Sequence, residues 1–440
     1  MVDRNFAQLR DQIRQIEVVR DVGRVASVSG GVVGVTGLGR QAQIGDRVAI
    51  QRRDNRALWG EVIRLEKAYV SVLTEGVTDR LSLGDRVIRQ GPIRLYPHRS
   101  WLGRVISSSG LPLDDQTLLQ GDQAVPIDRP APPASARRPL GTRLETGLAA
   151  FNTFLPLVCG QRLGLFSGSG VGKSTLLGQF ARGVSADIIV VALIGERGRE
   201  VGSFVKETLG ADGLARSIIV AATSDQSAPE RRRCALSAMA VAEFFRDQGH
   251  NVLFLADSLT RFAEAHREMS VARGEPAALR GHPASMSHAV MSLCERAGPG
   301  VGDQGDITAI FTVLVAGSDM DEPVADVVRG VLDGHVILER TIAERGRFPA
   351  VDLLRSVSRS LPNAATEKEN ALIAEARHLL GVYDRAEMMI QAGLYTSESD
   401  KMIDRAIQVQ PALDQFLAEI ETGSTADSFA QLERCLSSET

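Results

Sequence analysis

The segment FSGSGVGKST, residues 166–175, gathers residue types that can hold a phosphate chain. Such a site needs backbone N–H groups turned inward around an anion, a lysine at the phosphates and a hydroxyl for Mg²⁺. Gly168, Ser169, Gly170, Val171 and Gly172 supply the loop, Lys173 the cation, and Ser174, followed by Thr175, the hydroxyl. The glycines leave the backbone free to adopt positive φ. Ser167 stands where the pattern G-x-x-x-x-G-K-[ST] has its first glycine; as a small residue it suits a tight turn.

Hydrolysis of a nucleoside triphosphate also requires a metal-associated acid, a group that aligns water, and positive charge at the transferred phosphoryl. Asp257 ends the apolar run NVLFLAD and suits the metal-associated carboxylate, reached through water; the plain alternative is a helix cap. The run IIVVALIGERGRE ends on Glu196, with Arg197 and Glu200 close behind. A carboxylate and a guanidinium therefore leave a strand together, at the carboxyl edge where open α/β folds bind ligands. A surface ion pair is the plain alternative for Arg197 and Glu200.

The elements needed to position these groups are legible. QRLGLF (161–166) is a buried strand entering the loop, and KSTLLGQFARGV (173–184) is a helix leaving it, with Leu176, Leu177 and Phe180 at helical spacing. DIIVVALIG, RSIIVAAT, NVLFLADS, ITAIFTVLVAG and HVILER predict further buried parallel strands alternating with helices, an α/β core. Before them, residues 21–95 carry short β-branched runs and a near repeat, IGDRV at 44–48 against LGDRV at 83–87, which predict a small closed β-barrel. GRVASVSG (23–30) is echoed by GRVISSSG (103–110). IDRPAPPASARRPLGT (127–142) predicts an extended connection, and residues 371–440 a helical domain. Phe6, Leu9, Ile13 and Ile16 predict a short amphipathic helix over residues 1–20, able to dock a partner or to pack on its own domain. The nucleotide-binding domain is then expected to span 96–370.

Composition narrows the function classes. The 440 residues are too many for one ordinary core, and 44% hydrophobic with 24% charged residues is globular composition. A net charge of -4 gives no overall field for nucleic acid, and 5% aromatic content leaves little stacking surface for bases, which argues against an RNA-translocating helicase. Four scattered cysteines form no C-x-x-C pair and fit a reducing cytoplasm. The polar amino terminus excludes a secretory signal, and no apolar run reaches bilayer length, so membrane association is expected to be peripheral.

GSGVGKST, LIGERGRE, NVLFLADSLTRFAEAHRE, GEPAALRG, LCERAG, LDGHVILER and RFPAVDLLRSVSRS together resemble the flagellar type III export ATPases, relatives of rotary ATP synthase catalytic subunits. The resemblance covers nearly the whole chain and implies a RecA-like core, ATP and Mg²⁺ as ligands, and a homohexameric ring that drives or regulates export of unfolded subunits. It implies that Lys173 binds phosphate, Ser174 ligates Mg²⁺, Glu196 activates water and Asp257 supports the metal. Arg197 and Arg261 match charge-stabilising residues around the γ-phosphate, Phe348 the aromatic that stacks on adenine, and Tyr395 its flank. Arg359 matches an arginine finger that enters the neighbouring subunit's site. A stator-like regulator on the amino-terminal helix, a central stalk protein, export chaperones and an export gate are the implied partners, at the cytoplasmic face of the inner membrane.

Some residues depart from that pattern. GEPAALRGHPASM replaces a loop closer to GEPPATKGYPPSV, and TSESDKMIDRAI stands where ATP synthase subunits carry an acidic DELSEED-like stretch. The latter argues against a synthase subunit. Glu196 and Arg359 argue against a scaffold without turnover, while an injectisome ATPase is the nearest alternative. Arg231, Arg232 and Arg233 receive no role and read as a solvated face.

Overall fold

The computed structural model describes residues 20–54, 56–315, 320–420 and 423–437. The amphipathic stripe of Phe6, Leu9, Ile13 and Ile16 lies outside them. The chain divides into two compact units, the first ending at Ile93 and joined by Gln226–Pro229 and Glu268–Pro276.

The first unit is built on six strands: β1 (Val22–Ser29), β2 (Val32–Thr36), β3 (Arg47–Gln51), β4 (Ala57–Leu65), β5 (Val70–Thr74) and β6 (Arg86–Gly91). They close into a barrel in the order β1-β2-β5-β4-β3-β6, which leaves no open edge. Val25, Val33, Val35, Val48, Ile50, Val62, Val70, Val72 and Val87 fill its interior. The near repeat builds the same turn twice. Gly45 and Gly84 take φ of 92° and 86°. Asp46 then accepts from the Gln43 N–H (2.8 Å) and Asp85 from the Ser82 N–H (2.7 Å).

The second unit centres on an eight-stranded sheet. Its strands are β7 (Arg104–Ser107), β8 (Arg162–Ser167), β9 (Ile188–Glu196), β10 (Ser217–Thr223), β11 (Val252–Asp257), β12 (Ile307–Leu314), β13 (Gly334–Leu338) and β14 (Val351–Ser358). Their order is β14-β13-β8-β12-β11-β9-β10-β7, parallel throughout except for the β13–β14 pair. The echo of GRVASVSG is therefore of sequence alone: GRVASVSG supplies β1 of the barrel, while GRVISSSG supplies β7, at the edge of this sheet. Parallel strands need cover on both faces, which is why β9 is buried from Ile188 through Gly195 and reads as an unbroken apolar run.

Helix α1 (Lys173–Gly183) packs Leu176, Leu177 and Phe180 on the sheet. It is followed by α2 (Ala228–Asp247), α3 (Leu259–Arg273), α4 (Ser285–Glu295) and α5 (Pro323–Val331). The chain closes with α6 (Glu367–Gln391), α7 (Lys401–Leu417) and α8 (Thr425–Ser437). A Thr366–Glu369 capping box starts α6, and Asp400 caps α7 by accepting from the Met402 and Ile403 N–H groups. Ile373, Ala376 and Leu379 of α6, Leu413 and Phe416 of α7 and Leu432 of α8 share one apolar core with Leu176 and Phe180. The terminal helices thus belong to the same compact unit as the sheet. Arg233, assigned to a solvated face on sequence, is instead 2% exposed within α2. No helix among the described residues is long and apolar enough to cross a membrane.

Candidate active site

The carboxyl ends of β8, β9 and β11 bring the expected residues together. The phosphate loop follows β8, and Gly170 and Gly172 take φ of 78° and 87°, values that a side chain would strain. Gly172 is the N-cap of α1 and offers no side-chain cap, so the helix's first N–H groups remain turned to the loop, a ready anion site. Ser167 is not among the positive-φ residues; it is the last residue of β8, paired with Leu314 and Leu338. A glycine is therefore not required there, and serine keeps the loop's mechanism.

Lys173 Nζ forms an ion pair with Asp257 and lies 4.0 Å from Glu196 Oε1. Asp257 is 3% exposed, and its Oδ1 also accepts from the Thr312 hydroxyl at 2.8 Å. A buried carboxylate with two donors is held in one place. Sequence reasoning missed Thr312, although a threonine within the apolar run TAIFTVL was a visible signal. Glu196 is presented by a bulge: Gly195 has φ 67°, and the β9–β10 register shifts between Ile194 and Glu196. Burial raises the Glu196 carboxyl to about 7, with the Asp257 charge and the hydrogen bond to Glu200 acting in the same direction and Lys173 opposing them. Glu200 is shifted the other way, chiefly because it accepts that hydrogen bond.

Arg261, on α3, lies beside the Gly195 turn, where a side-chain carbon would meet its Cβ at 3.4 Å. It pairs with Glu264 at 2.8 Å and feels the charges of Glu196 and Glu200. Arg197 is 74% exposed and pairs with Glu200 at 3.2 Å, so it stands at the rim.

Beside the loop, a cavity of about 280 Å³ is lined by Val171, Gly172, Thr175, Gln179, Phe348 and Pro349, among others. Phe348 is 49% exposed, and its ring lies so close to Gly172 that a Cβ there would meet it at 3.2 Å. An apolar slot beside a phosphate loop is where a base attached to bound phosphates would lie. Tyr395 is not among that lining; its hydroxyl donates to the Asp404 carboxylate at 2.9 Å, at the start of α7. Arg359 is also elsewhere. Its backbone N–H donates to Asp333 O at 2.9 Å, and its exposed guanidinium lies 3.5 Å from Arg329 O.

The donor set fits Mg²⁺ carried by a nucleotide. Among the described residues no group of three or more His, Cys, Asp or Glu could hold a metal ion. Phosphate-bound Mg²⁺ uses only one or two protein groups, and the Ser174 hydroxyl at the helix start with the nearby Asp257 carboxylate meets that need.

Comparison with known proteins decides the family. Residues 147–358 match the model for the ATP synthase alpha/beta family, nucleotide-binding domain, and residues 365–434 the T3SS EscN ATPase C-terminal domain. A flagellum-specific ATP synthase of Caulobacter vibrioides is 42% identical over 97% of this chain and 98% of its own length. The chain is an ATPase of the ATP synthase alpha/beta family. A type 3 secretion system ATPase of Xanthomonas euvesicatoria is 40% identical over 93% of the chain and 92% of its own length. Among solved structures, the assembled ATPase EscN of the enteropathogenic E. coli type III secretion system superposes on the present ATPase with TM-score 0.88, at 35% identity, over 94% of this chain and 100% of that one. A structure of EscN with its central stalk EscO superposes with TM-score 0.86, at 35% identity, with the same coverage.

Proposed function

We propose that the ATPase works as a homohexameric ring at the flagellar protein export apparatus, hydrolysing Mg-ATP at sites completed by the neighbouring subunit. Phosphates enter the loop of residues 168–172, where backbone N–H groups and Lys173 receive them. Lys173 then exchanges its Asp257 partner for phosphate charge. Mg²⁺ on the nucleotide would neutralise charge on the transferred phosphoryl, with Ser174 and Asp257 as its protein partners. Glu196 accepts a hydrogen bond from water and orients it for in-line attack, and Arg261 and Arg197 add positive charge at the rim. Phe348 stacks on the base. Tyr395, within the α6–α7 connection and outside the cavity lining, is proposed only as an outer flank of the base.

The observation that carries this reading is the cluster of Lys173, Glu196 and Asp257 at the foot of a capless helix. It is tested by Glu196→Gln, which keeps the shape and removes the carboxylate: nucleotide binding should persist while phosphate release is lost. Unchanged turnover would move the base elsewhere.

A flagellar rather than an injectisome system is supported by the flagellum-specific relatives and by GSGVGKS in the loop. The partners proposed with it are a central stalk protein, as in the EscN complex, a stator-like regulator on residues 1–20, export chaperones and an export gate. The ring would lie in the cytoplasm, peripheral to the inner membrane.

A further inference from the structure

Arg347 and Phe348 are adjacent and face opposite ways. Phe348 lines the cavity beside the phosphate loop, whereas Arg347 lines a second cavity of about 220 Å³ formed with Asp352, Tyr383, Asp414 and Leu417. The Arg347 side chain is 11% exposed, and its guanidinium makes two contacts that close the turn. Nη2 donates to Val351 O at 2.6 Å, bracketing Phe348–Ala350, and Nη1 donates to Asp414 Oδ1 on α7 at 3.2 Å. Two residues earlier, Arg345 pairs with Glu387 of α6 at 2.8 Å. The segment bearing the half-exposed aromatic is thereby stapled by charge to α6 and α7.

Burying a guanidinium carries a desolvation cost, and burial does lower its proton affinity here, against the pull of Asp414 and Asp352. A leucine or methionine would fill the same space without that cost. The planar fork reaches a carbonyl and a carboxylate at once, as an apolar side chain cannot. We infer that Arg347, held by Asp414, is a positioning residue that fixes the Phe348 ring at the base cavity and so sets affinity for the nucleobase while leaving phosphate binding alone. This rests on the reading that Phe348 stacks on the base.

The test compares ATP with inorganic tripolyphosphate, which has the phosphates and no base, by equilibrium binding to the full-length protein with Mg²⁺. Stacking on an aromatic contributes enough that Phe348→Ala should weaken ATP about tenfold or more and leave tripolyphosphate within about twofold. Arg347→Ala should reproduce that selective loss. Asp414→Asn, at the more exposed end of the pair and so less of a threat to folding, should show it to a smaller degree. Equal weakening of both ligands would make Arg347 merely structural and overturn the inference. So would an unaltered ATP affinity in Arg347→Ala beside a selective loss in Phe348→Ala. If Phe348→Ala itself shows no selective loss, the stacking reading has failed first.

Discussion

Lys173 and Arg359 stand at opposite edges of one sheet. Lys173 follows the carboxyl end of β8, while Arg359 is fixed at its amino end: the Arg359 N–H donates to Asp333 O, and the Asp333 carboxylate accepts from the Arg162 N–H at 3.0 Å and from its guanidinium. The five steps from Arg162 to Ser167 span roughly 17 Å at the rise of a parallel strand. Arg359 therefore does not serve the phosphate loop of its own chain. Any action on a transferred phosphoryl has to be exerted on another copy.

The raised Glu196 carboxyl gives a pH signature. As a base it must be ionised, so kcat/KM should fall as pH drops through about 7. A profile flat between pH 6 and 8 would place the controlling group elsewhere.

Stability should move the opposite way. Between the ordinary value of 4.5 and about 7, the folded state holds a proton on Glu196 that the unfolded chain has released. Stability contributed by this group is thus lost as pH rises through that window, by no more than about 3 kcal/mol. Glu196→Gln, which cannot ionise, should raise Tm relative to the parent more at pH 8 than at pH 5. An equal effect at both values would contradict the buried-carboxyl account.

Asp257→Asn keeps the Thr312 contact and removes the charge. With Asp257 reaching the metal through water, the Mg²⁺ concentration for half-maximal turnover should rise about 10–100-fold. Chelation of Mg²⁺ should stop turnover in the parent. An unchanged Mg²⁺ requirement in the variant would confine Asp257 to holding Lys173.

Deleting residues 1–18 should abolish capture of the stator-like regulator in a pull-down, because Phe6, Leu9, Ile13 and Ile16 have the spacing of a helix seated in a groove. The core should keep its Tm. Capture that persists would mean the stripe packs on its own chain.

Much of this site was legible in the sequence because its signals are local. A loop pattern fixes Lys173 and Ser174, and apolar runs that end on an acid mark Glu196 and Asp257. The same runs gave the parallel strands. What stayed hidden depends on partners distant in sequence. Thr312 meets Asp257 only because β11 and β12 are neighbours, and β14 looks too polar for a strand, with Asp352, Arg355 and Ser356 along it, because it is an edge strand. The staple from Arg347 to Asp414 joins residues 67 apart. The Ser167 substitution weakened the pattern on paper, yet its backbone lies in the strand and needs no glycine.

The central claim, that each site borrows Arg359 from its neighbour, is tested most directly by mixing two defective subunits. Lys173→Ala chains keep the finger and lose the phosphate lysine; Arg359→Ala chains keep the loop and lose the finger, worth about 10³–10⁵ in rate. ATPase activity is read for each alone, for assembled mixtures, and for wild-type-doped rings that establish whether one complete site can turn over. The account predicts that the mixture recovers activity neither parent has, since some neighbours then pair an intact loop with an intact finger. Assembled mixtures that recover none, beside doped rings that do turn over, would contradict it and leave Arg359 a structural residue of its own chain.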